Sequence, residues 1–152
     1  MPVTSVASDA NALTLTVVGD YPVPVERLWA AYADPRQLER FWGPDTWPAT
    51  FTRHDMEVGG RSEYYMTGPD GSTPRGWWRF VAVEPVRRIE VEDGFAHDDG
   101  TPNDAMPSMR MVFTFEPTAQ TMPEASDPAT WKGCRWPSSG EIGWPSAAQM
   151  PL

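Results

Sequence analysis

The sequence LTLTVVGDYPVPVERLWAAY, residues 13–32, contains the change of period that decides the fold. Apolar and polar side chains alternate from Leu13 to Val17, as they do in a half-buried β-strand, and Gly19-Asp20 follows as a turn signal. Farther along, the apolar residues recur at the spacing of an α-helix, at Val25, Leu28, Trp29 and Tyr32. The stretch therefore predicts a strand followed by an amphipathic helix.

A second short helix is predicted from Asp34 onward. The Asp34 carboxylate can accept hydrogen bonds from free N–H groups of a first turn, and Pro35 at the first helical position loses no needed donor. This helix runs to Trp42 and stops at Gly43-Pro44. The two helices are expected to form a bent pair that carries inward Trp29, Leu38, Phe41 and Trp42.

From residue 49 the period returns to two. The predicted strands are 49–54, 61–67, 75–83, 88–92 and 108–116, with Gly68-Pro-Asp-Gly71 as a turn. Alternation gives them one apolar face, made of Tyr64, Met66, Trp78, Phe80, Ile89, Val91, Met109, Met111, Phe113 and Phe115. The opposite positions predict a solvated surface, made of Arg61, Glu63, Arg75, Arg79, Arg88, Glu90, Glu92, Arg110, Thr114 and Glu116. This order predicts an α+β fold with helices on one face of an antiparallel sheet.

Composition narrows the class of function. The 152 residues suffice for one domain, and the net charge of −9 opposes binding to nucleic acid or to anionic membrane surfaces. No stretch reaches the roughly 18 apolar residues of a membrane span, and the first residues lack the order of a signal peptide, so a cytoplasmic location is expected. The single cysteine, Cys134, excludes an internal disulfide.

Several short motifs occur in a particular order and spacing. They are Asp20-Tyr-Pro-Val-Pro-Val-Glu-Arg-Leu-Trp29, Asp34-Pro35, Phe41-Trp-Gly-Pro44, Asp55 with Gly59-Gly60, and Gly76 before Val83-Glu-Pro85. Together they resemble the activator of Hsp90 ATPase homologue (AHSA1-like) branch of the START-like, or SRPBCC, superfamily. The resemblance covers residues 13–116 and implies a helix-grip fold, in which a curved antiparallel sheet wraps a long C-terminal helix with a hydrophobic pocket between them. The implied domain is 1–118.

The pocket implied by the resemblance would have a wall of large apolar side chains. These are Trp42, Tyr64, Met66, Trp78, Phe80, Met109, Met111 and Phe113. On pattern alone such residues are more typical of an ordinary core, but the implied fold leaves space between sheet and helix. A bound ligand could be oriented by Tyr64, Tyr65 or Arg79. No cofactor is expected.

Two polar motifs are candidates for a catalytic or metal site. His54 and Asp55 are adjacent on a strand and therefore point to opposite faces, which favours a structural role over a base with its orienting carboxylate. His97-Asp98-Asp99-Gly100, with Asp93 and Asp104 nearby, lacks the regular spacing of a calcium loop and predicts a solvated hairpin loop. No catalytic or metal-binding residue is therefore assigned.

Three functions remain as alternatives. The first is binding of a small hydrophobic ligand without catalysis. The second, suggested by the family name, is contact with an Hsp90-type chaperone. The third is a polyketide cyclase-like enzyme, which needs an acid or base inside the pocket, and the predicted apolar face supplies none beyond Tyr64. An uncovered apolar face would also favour a homodimer.

The tail, residues 119–152, departs from the family pattern. Prolines recur too often for a helix longer than two turns, at Pro123, Pro128, Pro137, Pro145 and Pro151. The long C-terminal helix is therefore predicted to be missing and the tail to be irregular. Such a helix would bury about four large apolar side chains, worth roughly 6 to 12 kcal/mol.

Two hypotheses account for this tail. In one, it is translated out of frame, because Thr130-Trp-Lys-Gly-Cys134 can be encoded so that a neighbouring frame reads Met-Glu-Gly-Met, close to the start of the family's helix. In the other, it is a divergent segment whose tryptophans pack loosely over the sheet. Resequencing the gene around codons 117–135 distinguishes them: a shifted frame restores an apolar helix, and an intact frame supported by independent reads rejects the first hypothesis.

Overall fold

The computed structural model describes residues 3–117 and 129–132. The elements are β1 (Val3–Asp9), β2 (Thr14–Tyr21), α1 (Val25–Ala33), α2 (Pro35–Leu38), β3 (Ala49–His54), β4 (Arg61–Met66), β5 (Arg75–Glu84), β6 (Arg88–Ala96), β7 (Met109–Pro117) and β8 (Ala129–Lys132). All strands join one antiparallel sheet in the order β1-β2-β8-β7-β6-β5-β4-β3. Two short helices on a mostly antiparallel sheet are the α+β helix-grip arrangement that the sequence predicts.

Two strands were not predicted. β1 precedes the first predicted strand, pairs with β2 at the edge of the sheet and is mostly exposed, so its side chains show no apolar alternation. β8 lies within the tail that was predicted to be irregular, and its backbone pairs with both β2 and β7. The rest of that tail, including Cys134 and the predicted absence of a long helix, lies outside the described residues.

The two helices confirm the predicted bent pair. α1 buries Val25, Leu28 and Tyr32. The Asp34 carboxylate caps α2 by accepting a hydrogen bond from the Arg36 backbone N–H at 2.9 Å. α2 ends at Leu38 rather than at Trp42, and the chain continues as a hydrogen-bonded turn. Within the described parts of the chain, no helix is long and apolar enough to cross a membrane.

Side chains of α2 and of the residue that follows it hydrogen-bond to the backbone of the edge strand β3. The Arg36 guanidinium donates to the Phe51 carbonyl oxygen at 2.7 Å, and the Glu39 carboxylate accepts from the Phe51 N–H at 2.6 Å. Arg36 and Glu39 also form an ion pair at 2.9 Å. These contacts satisfy backbone groups that an edge strand otherwise leaves unpaired, and they hold the turn after α2 above the sheet.

The outer face of the sheet is polar, as predicted, with one correction. Glu90 is only 2% exposed, because the guanidinium groups of Arg88 and Arg110 both bind its carboxylate and cover it. The alternating pattern assigns Glu90 to the correct face, but it cannot show that long neighbouring arginines will shield it from water.

Leu38 joins the helices to the core and is fully buried. We predict that Leu38→Ala lowers the free energy of unfolding by about 2–5 kcal/mol, since it removes a buried side chain and leaves a cavity. The matched control is Leu13→Ala, because the Leu13 side chain is 47% exposed and its truncation should have little effect. Urea denaturation measures both, and equal losses would contradict this account of the packing.

Candidate functional site

The inner face of the sheet brings the eight predicted pocket residues into one cluster. Six of them are buried, namely Tyr64, Met66, Trp78, Phe80, Met111 and Phe113, and Trp42 and Met109 are partly buried. Trp78 lies at the centre: its ring centroid is 4.6 Å from Trp42, 5.5 Å from Phe51 and 6.2 Å from Phe113. The predicted grouping is therefore present, and its role in ligand binding stays a prediction.

One carboxyl group in this cluster, that of Asp93, was not predicted from the sequence. Asp93 was assigned to the acidic loop near His97, but β6 continues to Ala96 and Asp93 faces the interior with 8% exposure. The Tyr64 hydroxyl donates a hydrogen bond to Asp93 Oδ1 at 3.2 Å. Asp93 has the same parity as Ile89 and Val91, so extending the predicted strand by one residue would have found it.

Gly76 explains how Tyr64 reaches Asp93. Gly76 lies opposite Tyr64 on the neighbouring strand, and the tyrosine ring lies across the space that a side chain would fill. A Cβ atom at Gly76 would be 2.5 Å from both Cζ and the hydroxyl oxygen of Tyr64, which is closer than real Cβ atoms approach. The glycine in the middle of β5 therefore permits the Tyr64–Asp93 hydrogen bond.

Burial dominates the electrostatics of the pair. It raises the pKa of Asp93 to about 7, although the hydrogen bond from Tyr64 and the nearby Trp78 indole act in the opposite direction. Burial also raises the pKa of Tyr64 well above its usual value, and the Asp93 charge adds to that effect. Among the described residues, no cation contributes to the pKa of Asp93. The carboxyl group is thus poised to be neutral or charged near physiological pH.

Two buried donors lie beside this pair. The Nε1–H groups of Trp42 and Trp78 are close enough to the Tyr64 oxygen to lower its pKa. Neither indole, however, makes a hydrogen bond of acceptable geometry within the described residues, and both nitrogens are closed off from solvent. Buried polar groups without a partner are uncommon in native proteins, so these two donors require an explanation.

A second polar pair on the inner side is fully satisfied. His54 Nε2 lies 2.9 Å from the Tyr32 carbonyl oxygen, which can only accept, so Nε2 carries the proton and Nδ1 accepts from the Ser62 hydroxyl at 2.8 Å. Burial lowers the pKa of His54. Asp55 instead pairs with Arg53. The predicted structural role of His54 is confirmed by these contacts.

Two of the residues suggested for orienting a ligand are wrongly placed for that role. Tyr65 and Arg79 lie on the outer face, where Arg75 stacks over Tyr65 and Arg79 pairs with Glu92. Alternation explains their outward orientation, because each directly follows an inward-facing residue, Tyr64 or Trp78, in its strand. Across the described residues, no group of three or more His, Cys, Asp or Glu side chains is placed to hold a metal ion.

Known structures share this fold. A crystal structure of a Mycobacterium smegmatis protein is 43% identical with a TM-score of 0.70, covering 88% of this chain and 79% of that chain. An NMR structure of an Arthrobacter aurescens protein is 39% identical with a TM-score of 0.78, covering 97% and 77%. An AHSA1 protein from Silicibacter pomeroyi, at 20% identity and a TM-score of 0.62 over 86% and 81%, shares the fold. No curated protein matches the chain.

Fold and sequence together define the class as a START-like, helix-grip domain. The family described as "Activator of Hsp90 ATPase homolog 1-like protein" matches residues 22–123. The chain belongs to this AHSA1-like family.

The buried carboxyl group predicts an unusual pH dependence. Because the pKa of Asp93 is about 7 in the folded chain and near 3.8 in the unfolded chain, the folded state binds the extra proton between these values. Stability conferred by the neutral carboxyl is therefore complete below pH 4 and lost as the pH rises to 7. Relative to Asp93→Asn, we expect wild type to lose ~4 kcal/mol over this range.

Urea denaturation of both proteins between pH 4 and 8 measures this difference. Asp98→Asn is the matched control, because it removes a carboxylate from an exposed turn without touching the interior. Parallel stability curves for wild type and Asp93→Asn would show that the carboxyl does not titrate inside the folded chain.

Proposed function

We propose that the chain binds a small hydrophobic ligand against the inner face of its sheet, beneath Trp42 and around Trp78. The observation that carries the proposal is the Tyr64–Asp93 pair within an otherwise aromatic interior. A core that serves only for packing gains nothing from a buried carboxyl without a cation, since its desolvation is costly. An apolar cluster with a few convergent polar groups and a shifted pKa is typical of a binding site.

Contact with an Hsp90-type chaperone is the second candidate, and its support is the family description. A pull-down with the chaperone and an assay of its ATPase test that contact separately from ligand binding. Stimulation of the ATPase that persists after the interior is altered would favour the chaperone role. Ligand binding without any effect on the ATPase would favour the first proposal.

An enzyme is the third candidate. Asp93 supplies the interior acid–base group that the sequence analysis lacked, and a carboxyl that titrates near 7 is suited to proton transfer. Among the described residues, however, Tyr64 is the one titratable group in hydrogen-bond contact with it. These contacts therefore favour binding over a cyclase-like reaction, for which turnover of a substrate would have to be shown.

Adjacent tryptophans provide a matched test of ligand binding. Trp78 faces the interior, whereas Trp77 lies on the outer side of the same strand with Arg61 over its ring. With the neutral fluorophore N-phenylnaphthylamine as the probe, we predict that Trp78→Ala weakens binding about tenfold or more, since it removes a large apolar contact. Trp77→Ala should bind as wild type does. Fluorescence titration measures both.

Met109→Ala provides a second variant in case Trp78→Ala is too unstable, because Met109 is only partly buried at the margin of the cluster. Thermal unfolding of each variant verifies that it is folded before titration. If the wild-type chain does not bind the probe, or if both tryptophan variants bind it equally, these residues do not form the site.

A further inference from the structure

The two unpartnered indole groups define the polar part of the interior. Trp78 is 2% exposed and held on strand β5 of the sheet, with Asp93 directly opposite on β6. Trp42 packs edge-on against Trp78, with their ring centroids 4.6 Å apart. Both Nε1 atoms can donate and neither can accept, so an acceptor is the one kind of partner that would satisfy them.

The charge around these donors limits what that acceptor can be. A carboxylate or phosphate ligand would lie beside Asp93, and among the described residues no cation acts on that carboxyl to offset the repulsion. The chain as a whole also carries a net charge of −9, which disfavours anions. A neutral oxygen acceptor avoids both costs and still satisfies the indole N–H groups.

The two tryptophans are held by different parts of the fold, and this determines how a ligand could enter the interior. Trp78 is fixed by the sheet, and rings pack around it from several strands. Trp42 lies outside the sheet, on the turn between α2 and β3, is partly exposed, and precedes Gly43 with its positive φ of 97°. A small shift of the Trp42 side chain can therefore bring a ligand oxygen beside both Nε1 atoms without disturbing strand pairing.

We propose, building on the ligand-binding function above, that the ligand is a largely apolar compound with a neutral carbonyl group, whose oxygen accepts hydrogen bonds from Trp78 Nε1 and Trp42 Nε1. The carbonyl replaces the missing partner of each donor, and the aromatic rings around Trp78 hold the apolar body. Ketones, esters and amides share this chemistry. Carboxylic acids, which are charged at neutral pH, are expected to bind more weakly.

A pair of matched probes tests the carbonyl directly in the wild-type chain. Prodan is a neutral naphthalene ketone, and its reduced analogue carries a methylene group in place of the carbonyl. We expect prodan to bind about tenfold more tightly than the analogue, because a buried donor left unpaired in one complex is satisfied in the other. In Trp78→Phe, which keeps a ring but loses the N–H, the preference should fall severalfold, because one of the two donors to the carbonyl is gone.

Trp42→Phe should reduce the preference for prodan in part, and Trp77→Phe, on the outer face of the same strand, should leave it unchanged. The carbonyl stretching band of bound prodan provides a second readout, since a carbonyl that accepts hydrogen bonds absorbs at lower wavenumber. That band should move to higher wavenumber in Trp78→Phe.

The possible outcomes separate this inference from the proposed function. If prodan, its analogue and N-phenylnaphthylamine all fail to bind wild type, the proposed function fails and the inference with it. If all three bind but prodan has no advantage, the chain binds apolar ligands and the carbonyl site is wrong. A preference for prodan that is undiminished in Trp78→Phe would likewise reject the assignment to these indoles.

Discussion

The edge-on contact between Trp42 and Trp78 joins the two parts of this fold, and the interior depends on it. Trp78 stands on the sheet, whereas Trp42 comes from the turn after α2. That turn is held in place because Arg36 and Glu39 bind both backbone groups of Phe51 on the edge strand β3. Polar hydrogen bonds at the edge of the sheet therefore position the apolar Trp42–Trp78 contact at its centre. Trp42 thus covers the inner face of the sheet beside the large side chain of Trp78.

Much of the fold could be predicted because its elements carry strong local periodicity. The helical spacing from Val25 predicts α1, and five later strands follow from alternation, with β3 matched at both ends. The two strands that were missed lack that information. β1 is an exposed edge strand, so no burial imposes alternation on it, and β8 pairs through its backbone with strands distant in sequence. Pairing of this kind depends on tertiary structure and leaves little trace in side-chain pattern.

The residues that share the inner face of the candidate site were predicted, but the buried carboxyl group and the unpaired indole N–H groups were not. Alternation finds which residues share the inner face, and it extends to Asp93, but a charged residue is usually taken as the end of an apolar run. Two further features needed the structure. From the sequence alone, Gly76 is expected only to weaken its strand. The structure shows that it leaves space for the ring of Tyr64. Whether an indole N–H has a partner depends on distances and angles that no sequence pattern contains.

A comparison within the interior shows why its polar groups bear on function. Ser62 is buried and His54 is partly buried, and the side chains of both are hydrogen-bonded, so neither leaves a polar group unpaired. Asp93 lies on the same cross-strand row, with Trp78 between it and Ser62. Among the described residues, by contrast, the Nε1 donors of Trp42 and Trp78 have no hydrogen-bond partner, and no cation contributes to the pKa of Asp93. Apolar residues at these positions would avoid that cost, and this difference is the physical basis of the ligand-binding proposal.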